Sequence, residues 1–184
     1  MNKQKKIGLV LLGKTRTGKS SSGNTILGNP TAFEVKSGYS AVTKKCKEVK
    51  AVRGPFELNV VDTPGIYRNC EKSVLQEVQR SVSFENPGPH VFLFCVYLDR
   101  EMEDVKHVFK SYRNLFGDKM LKHTIVLFTN FDKWQNDSQE DNEDPDASVL
   151  IGRLPNDVRD VLNLCNGRYI TFNTKVQKMK RIVK

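Results

Sequence analysis

The sequence IGLVLLGKTRTGKS at residues 7–20 determines the fold that we predict for this chain. Residues 7–12 form a short apolar run, which is typical of a strand buried on both faces of a parallel sheet. Residues 13–20 follow it and match the pattern G-x-x-x-x-G-K-[ST] in full. A helix is predicted over residues 18–27, because Gly28, Asn29 and Pro30 then end it. The stretch is therefore a strand, a glycine-rich loop and a helix, in that order.

The glycine-rich loop has the composition of a phosphate-binding loop, or P-loop. Its glycines let the main chain wrap closely around a phosphate, and successive N–H groups at a helix start supply partial positive charge. Lys19 is placed to reach the β- and γ-phosphates of a nucleoside triphosphate, and Ser20 to bind Mg²⁺ through its hydroxyl. The alternative is a chance glycine-rich turn, which the surrounding strand and helix disfavour.

A second motif, Asp62-Thr63-Pro64-Gly65, follows the apolar residues Val60 and Val61. An Asp at the carboxyl end of a strand is placed to hold the water shell of Mg²⁺. Gly65 is placed to donate its N–H to a γ-phosphate and to release it after hydrolysis. The pattern D-x-x-G at this distance after a P-loop favours GTPases over ATPases and small kinases. An ordinary turn is the alternative for these four residues.

The third motif concerns the base and lies at Thr129-Asn130-Phe131-Asp132. GTPases read guanine with [NT]-K-x-D, in which the carboxylate accepts hydrogen bonds from guanine N1–H and the amino group. Thr129 and Asp132 fit this pattern, but Asn130 stands where Lys is expected. Two roles are open for Phe131, which either covers the base or packs in the core. Trp134 has the same two alternatives, with packing favoured.

The other segments alternate between strand and helix and contain one antiparallel hairpin. The remaining strands are predicted at residues 42–52, 56–61, 91–98, 124–128 and 169–172, and the remaining helices at residues 72–84, 102–116 and 155–164. This order predicts an α/β fold with a mostly parallel six-stranded sheet, one antiparallel edge strand and helices on both faces. The acidic residues 137–146 are predicted to form a solvated loop, with a divalent-cation site as a weak alternative.

Composition excludes several classes of protein. The chain has 184 residues and 38% hydrophobic residues, and its longest apolar run, residues 91–98, is too short to span a bilayer. Its four cysteines show no metal-type spacing, so we expect reduced thiols. The net charge of +9 suits an anionic partner such as a nucleotide, a nucleic acid or an acidic membrane. No nucleic-acid motif accompanies the charge, and we expect no nucleic-acid binding.

Beyond these motifs, the chain resembles the GIMAP family of immune-associated, AIG1-type GTPases, which are related to septins and to plastid import GTPases. The segments that carry the resemblance are residues 18–28, 41–46, 87–93, 98–100, 165–169 and 172–173. The resemblance as a whole covers roughly residues 7–173. The Thr-x-x-Asp form of residues 129–132 is similar to that of fish-type members.

The resemblance implies a P-loop GTPase domain, or G domain, over residues 5–184 with an apparently truncated last helix, after a basic tail at residues 1–4. It implies GTP or GDP and Mg²⁺ as ligands. Thr43 takes the position of the residue that meets Mg²⁺ and the γ-phosphate, and Asn173 that of a base contact. Departures from the family pattern include Asp99, where Gly is usual, and Glu101-Met102.

The predicted site has three overlapping parts. The nucleotide-binding residues are Gly13, Lys14, Thr15, Arg16, Thr17, Gly18, Lys19, Ser20, Ser21, Gly65, Thr129, Asp132 and Asn173. The predicted metal ligands are Ser20, Thr43 and Asp62, and the predicted catalytic residues are Lys19, Thr43 and Arg100.

The expected chemistry is slow hydrolysis of GTP. Ile66 follows D-x-x-G where Ras-like chains carry the Gln that orients water. The resemblance implies a homodimer or oligomer formed through the nucleotide face, with Arg100 reaching the partner's phosphates. A surface ion pair of Arg100 with Glu101 or Glu103 is equally open. The alternative functions are a nucleotide-holding assembly module with negligible turnover and a small ATP-dependent P-loop kinase.

The resemblance also bears on location. It implies a cytoplasmic protein, with the cytosolic face of organelle membranes as an alternative. Membrane association is expected through parts that are not present in this sequence.

Overall fold

The computed structural model describes residues 4–35, 43–84, 88–99, 102–140 and 147–173. The strands are β1 (Lys5–Gly13), β2 (Lys47–Arg53), β3 (Phe56–Asp62), β4 (Val91–Tyr97), β5 (Thr124–Thr129) and β6 (Tyr169–Thr171). The helices are α1 (Lys19–Leu27), α2 (Lys72–Arg80), α3 (Val105–Phe116), α4 (Met120–His123), α5 (Phe131–Glu140), α6 (Ala147–Arg153) and α7 (Asn156–Leu164). A 3₁₀ turn at Ser81–Phe84 extends α2.

The strands form one six-stranded sheet in the order β2-β3-β1-β4-β5-β6. β2 pairs with β3 in antiparallel fashion at the edge, and the other neighbours are parallel. The predicted fold class is therefore confirmed. Among the described residues, no helix combines the length and the apolar character that crossing a membrane requires.

The sheet is covered on both faces, which explains why β1 is apolar without alternation. Val10 and Leu12 point to the larger core, which α2, α3, α6 and α7 complete. Leu11 points to the opposite face, where it packs with Leu27 of α1 and with Phe33. Because both faces are buried, the carboxyl ends of the parallel strands are the exposed edge at which loops converge.

The structure corrects the acidic loop that we predict for residues 137–146. Asp137 and the next residues up to Glu140 belong to α5, while residues 141–146 lie outside the described part. The helix continues because neither Gly nor Pro interrupts the chain between Phe131 and Pro145. Helix α6 was not predicted, and β2 begins at Lys47 rather than at residue 42.

Candidate functional site

The P-loop joins β1 to α1 in a backbone conformation that needs its glycines. Gly13 has φ +143°, and a Cβ there would lie 2.6 Å from the carbonyl oxygen of Cys95. Gly18 has φ +80° and precedes α1 directly. Arg16 also has a positive φ, 70°, which is uncommon for a residue with a side chain. The predicted phosphate-binding residues thus form one tight loop at the carboxyl edge of the sheet.

Lys19 lies at the centre of this loop and is buried. Its Nζ donates to the carbonyl oxygen of Lys14 at 2.9 Å and to that of Gly13 at 3.4 Å. Burial lowers the pKa of Lys19, because the charged ammonium loses water, and the charge of Asp62 opposes this shift. A buried ammonium with main-chain oxygens as its nearest acceptors gains from an anionic ligand placed in the loop.

The three predicted metal ligands come together beside the loop. Ser20 Oγ donates to Asp62 Oδ2 at 2.6 Å, and Thr43 Oγ1 donates to the same oxygen at 3.2 Å. The two hydroxyl oxygens lie 3.4 Å apart. The structure therefore brings together, within hydrogen-bond distance, side chains from α1, from the segment before β2 and from the end of β3.

Asp62 provides the test of whether these residues fit Mg²⁺. Burial raises the pKa of this carboxyl, while the hydrogen bond from Ser20 and the charge of Lys19 oppose the shift. Its second oxygen, Oδ1, is buried and has no hydrogen-bond partner among the described residues. A buried carboxylate oxygen without a donor is costly in a protein interior. Since a hard cation or its water shell satisfies such an oxygen, the donor set fits Mg²⁺.

Thr43 is anchored through a neighbour in its segment. The N–H of Cys46 donates to Glu77 Oε1 of α2 at 2.8 Å, and Cys46 Sγ contacts the Glu77 carbonyl oxygen at 3.1 Å. Arg80 donates to the same Glu77 carboxylate at 2.9 Å. Burial raises the pKa of the Cys46 thiol to about 12, so it remains protonated at neutral pH. The segment that carries Thr43 is thus tied to α2.

The D-x-x-G motif packs directly on the P-loop. A Cβ on Gly65 would lie 2.3 Å from the main-chain nitrogen of Thr15, so a side chain cannot be accommodated there. The next residue, Ile66, is buried, and its N–H donates to the Gly13 carbonyl oxygen at 3.3 Å. Because the Ile66 side chain lies in the core, it does not reach into the site to orient water.

The base-reading motif follows β5 and is tied to the P-loop. Thr129 Oγ1 donates to the carbonyl oxygen of Thr17 at 3.0 Å. Asn130, which stands at the position of the expected Lys, is buried with φ 64° and donates through Nδ2 to the Leu98 carbonyl oxygen at 2.8 Å. Asp132 is half-buried in the first turn of α5. Sequence reasoning did not foresee that Asn130 bridges this motif to the end of β4.

Phe131 of the base-reading motif and the nearby Trp134 pack with the larger core. Phe131 is buried in the larger core, and Trp134 stacks on it with ring centroids 5.4 Å apart and planes at 16°. The packing alternative therefore holds for both residues, and the alternative in which Phe131 covers the base is not seen. Helical spacing places residues three apart on one face, which brings these two rings together.

Asn173 lies beside the base-reading motif. The N–H of Phe172 donates to the Phe128 carbonyl oxygen at 2.8 Å, and the N–H of Phe131 donates to the Phe172 carbonyl oxygen at 3.2 Å. These bonds place Asn173 at a small hollow on the carboxyl edge. The residues lining the hollow are Gly18, Ser21, Ser22, Thr25, Thr129, Asn130, Phe172 and Asn173.

Arg100, the predicted finger, lies outside the described residues. Its neighbour Asp99 lines an open pocket of about 520 Å³ beside Lys14, Arg16 and the start of α3. Asp99, the last described residue of this segment, therefore lies at the P-loop side of the sheet edge. Another residue that sequence reasoning missed is Tyr112 of α3, whose hydroxyl bonds to Gly13 across 99 residues. No local pattern signals such a contact.

A buried strand, a P-loop, and an Asp and a Gly aligned on that loop define a P-loop nucleotide-binding domain. The sequence model of the AIG1 family matches residues 7–183 of this chain. The chain therefore belongs to the AIG1 family.

Curated relatives agree with this assignment. The chain is 32% identical over 177 residues to immune-associated nucleotide-binding protein 9 of Arabidopsis thaliana, and this match covers 94% of the chain and 50% of the relative. It is 29% identical over 176 residues to GTPase IMAP family member 8 of Rattus norvegicus, covering 94% of the chain and 24% of that relative. The chain thus spans at most half the length of these two relatives.

Solved structures share the fold. Toc33 from Arabidopsis thaliana in complex with GDP and Mg²⁺ has a TM-score of 0.64 and 18% identity, covering 98% of this chain and 74% of that one. Era in complex with MgGDPNP and a segment of 16S ribosomal RNA has a TM-score of 0.59 and 19% identity, covering 94% of this chain and 52% of that one. At this identity the likeness concerns the fold alone.

Proposed function

We propose that this chain is a guanine-nucleotide switch that binds GTP or GDP with Mg²⁺ and hydrolyses GTP to GDP and phosphate. The observation that carries the proposal is the convergence of Ser20, Thr43 and Asp62 beside the P-loop, with Asp62 Oδ1 left without a hydrogen-bond donor among the described residues. Membership of the AIG1 family and the names of the relatives, one of them a GTPase, support it.

The chain's own residues divide the work on the nucleotide. Main-chain N–H groups of the P-loop and Lys19 hold the phosphates, and Lys19 neutralises charge that develops during phosphoryl transfer. Ser20, Thr43 and Asp62 would hold Mg²⁺, which would neutralise phosphate charge during the reaction. Asp132 selects guanine through its carboxylate, and Asn173 contacts the base from the other side. The N–H of Gly65 donates a hydrogen bond to the γ-phosphate of GTP and loses this acceptor after hydrolysis.

Turnover is slow in the monomer on this proposal. Ile66 replaces the expected Gln and is buried, so the residue directly after Gly65 supplies no polar side chain to orient water. A second copy that meets the nucleotide face then raises turnover by neutralising the charge that develops on the phosphates, with Arg100 as the finger. Two solved structures support this part of the proposal. One is a dimerization-deficient mutant of Toc33 in which an arginine is replaced by alanine, and the other is described with the statement that dimerization is important for the GTPase activity of atToc33 and psToc159.

Calorimetry tests the binding part of the proposal. The protein is titrated with GDP, with GTP and with the matching adenine nucleotides, each with and without Mg²⁺. We expect binding of both guanine nucleotides, tighter binding with Mg²⁺, and no comparable binding of ATP. Preference for ATP would support the kinase alternative instead, and flat titrations with all four nucleotides would overturn the proposal.

Phosphate release tests the dimer. Multiple turnover is measured as a function of protein concentration for the wild type, for Arg100→Ala and for the control Arg159→Ala, an exposed Arg on α7. Turnover per subunit should rise with concentration in the wild type and in the control. In Arg100→Ala the concentration-dependent part should fall at least about tenfold, because an arginine finger contributes a large factor to phosphoryl transfer. Equal turnover in all three proteins would remove Arg100 from the mechanism.

A second candidate function is a nucleotide-holding assembly module with negligible turnover, which the burial of Ile66 favours. It shares the binding site and differs in phosphate release, which would then stay near background at every concentration. For location we propose the cytoplasm, with the cytosolic face of an organelle membrane as the alternative, reached through segments that are not present in this sequence.

A further inference from the structure

Tyr112 is a buried side chain that the proposed function leaves without a role. It lies in α3, is 0% exposed and packs edge-on against Phe94, with ring centroids 6.0 Å apart. Its hydroxyl accepts a hydrogen bond from the Gly13 N–H at 3.0 Å and donates one to the Gly13 carbonyl oxygen at 2.9 Å. One side chain therefore satisfies both main-chain polar groups of the first P-loop residue.

The carbonyl oxygen of Gly13 accepts hydrogen bonds from three different parts of the site. Besides Tyr112, it accepts from the Ile66 N–H at 3.3 Å and from Lys19 Nζ at 3.4 Å. A carbonyl oxygen has two lone pairs, so three donors exceed its capacity. When Lys19 turns toward a phosphate, Tyr112 and Ile66 remain and fill the two lone pairs. Release of Lys19 then leaves no buried acceptor unsatisfied at this position.

The Gly13 carbonyl also affects the position of Gly65, through its hydrogen bond with the neighbouring Ile66. The bond from Ile66 to Gly13 holds the chain so that Gly65 packs on the main chain of Thr15. Gly13 is the last residue of β1, and its pairing with Cys95 is the last pair between β1 and β4. We attribute the orientation of the Gly13 carbonyl to the Tyr112 hydroxyl, which bonds to both main-chain polar groups of Gly13. Burial raises the pKa of this phenol, which keeps its proton available for donation.

We propose that Tyr112 is a positioning residue for the third phosphate, acting through the Gly13 carbonyl and Ile66 on Gly65. Tyr112 touches no ligand itself. Its hydroxyl fixes the peptide to which Ile66 bonds, and that bond holds the Gly65 N–H at the edge of the P-loop. Loss of the hydroxyl should therefore weaken triphosphate binding more than diphosphate binding. The inference rests on the proposed nucleotide binding and adds a residue that distinguishes the two nucleotide states.

The test compares Tyr112→Phe, which retains the ring and loses the hydroxyl, with Phe109→Leu. Phe109 is buried on the same helix, and its ring lies 5.0 Å from that of Phe94, but its side chain has no polar atom to bond to the P-loop. Dissociation constants for GDP and for a non-hydrolysable GTP analogue, each with Mg²⁺, are measured by calorimetry, with the melting temperature of each variant alongside.

For Tyr112→Phe we expect analogue binding to weaken at least about tenfold and GDP binding about threefold or less, which is the range of one lost buried hydrogen bond. Phe109→Leu should lower the melting temperature and leave the ratio of the two constants unchanged. An unchanged ratio in Tyr112→Phe would overturn the inference. If the wild type binds neither nucleotide, the proposed function itself is wrong, a result that is distinct from an unchanged ratio.

A second measurement uses the wild type and so does not depend on the variant folding. Hydrogen exchange of the Gly13 amide should be strongly slowed without nucleotide and with either nucleotide, because Tyr112 accepts its hydrogen throughout. The Ile66 amide should become more protected with the GTP analogue than with GDP. Rapid exchange at Gly13, or equal protection of Ile66 in the two complexes, would contradict the role of Tyr112.

Discussion

The phosphate end and the base end of the site are built in different ways. At the phosphate end, the P-loop, Asp62 and Gly65 lie at the carboxyl ends of β1 and β3, and close approaches of main chain at Gly13 and Gly65 leave no room for side chains there. At the base end, Asp132 and Asn173 lie on a helix start and a strand exit and are more exposed. The difference indicates that phosphate binding depends on a rigid backbone together with the buried Lys19, whereas base selection depends on a few more exposed side chains.

The largest effect is expected at Lys19. Lys19→Ala removes the buried ammonium and should weaken binding of both GDP and GTP about 100-fold, since charged hydrogen bonds contribute up to about 3 kcal/mol. Calorimetry measures this loss. Lys50→Ala is the control, because Lys50 is exposed on β2 and pairs with Glu48. Retained binding in Lys19→Ala would mean that the backbone alone holds the phosphates.

Gly65→Ala tests the close approach of main chain at the phosphate end. The new Cβ would meet the Thr15 nitrogen at 2.3 Å and must push the two loops apart. We expect GTP-analogue affinity to fall by about tenfold or more and GDP affinity by much less, because the Gly65 N–H serves the third phosphate. The control is Gly152→Ala in α6, where nothing in the described part of the chain lies within 4 Å of the new Cβ apart from its own helix. Equal losses for both nucleotides would show that Gly65 does not read the third phosphate.

Asp132→Asn tests the base end. Asn offers one acceptor and one donor in place of two acceptors, so it no longer complements both guanine donors. Affinity for GDP should fall about tenfold, and affinity for xanthosine diphosphate, which has a carbonyl in place of the amino group, should rise. The matched control is Asp137→Asn, which is exposed on the same helix. An unchanged base preference would place guanine recognition elsewhere.

Trp134→Phe should give the smallest effect on ligand binding. Because Trp134 stacks on Phe131 and not on the site, GDP affinity should change less than about twofold. The melting temperature should fall by a few degrees, in line with about 1 kcal/mol of lost core packing. Calorimetry with GDP measures the affinity, and thermal unfolding measures the melting temperature. A tenfold loss of affinity would instead support a role for Trp134 in covering the base.

Much of the fold and of the phosphate end could be predicted from short stretches of sequence. The strand before Gly13, the pattern ending in Ser20 and the D-x-x-G motif each lie within a few residues, where local spacing determines the geometry. The sheet with its antiparallel edge follows from the order of such segments. The helix over residues 131–140 was not predicted, because the acidic composition of its second half and of the residues after it outweighed the absence of a helix breaker.

The bonds that finish the site could not be predicted, because they join residues far apart in the chain. Examples are Tyr112 to Gly13, Asn130 to the Leu98 carbonyl oxygen, and Cys46 to Glu77. The role of Phe131 could not be predicted either, because its position in the core, stacked on the Trp134 ring, depends on how α5 packs.

The sequence by itself determined the class of loop and the alternation of strands and helices, because a glycine's freedom and a strand's apolar faces are local properties. Ser20 and Asp62 followed from short motifs as candidate metal ligands, whereas Thr43 was assigned through the resemblance to a family. Only the tertiary structure decided which buried donors share the Gly13 carbonyl and which oxygen of Asp62 is left without one among the residues that the structure describes. The physical reason is that a buried hydrogen bond depends on the positions of both partners, and packing of separate elements sets those positions.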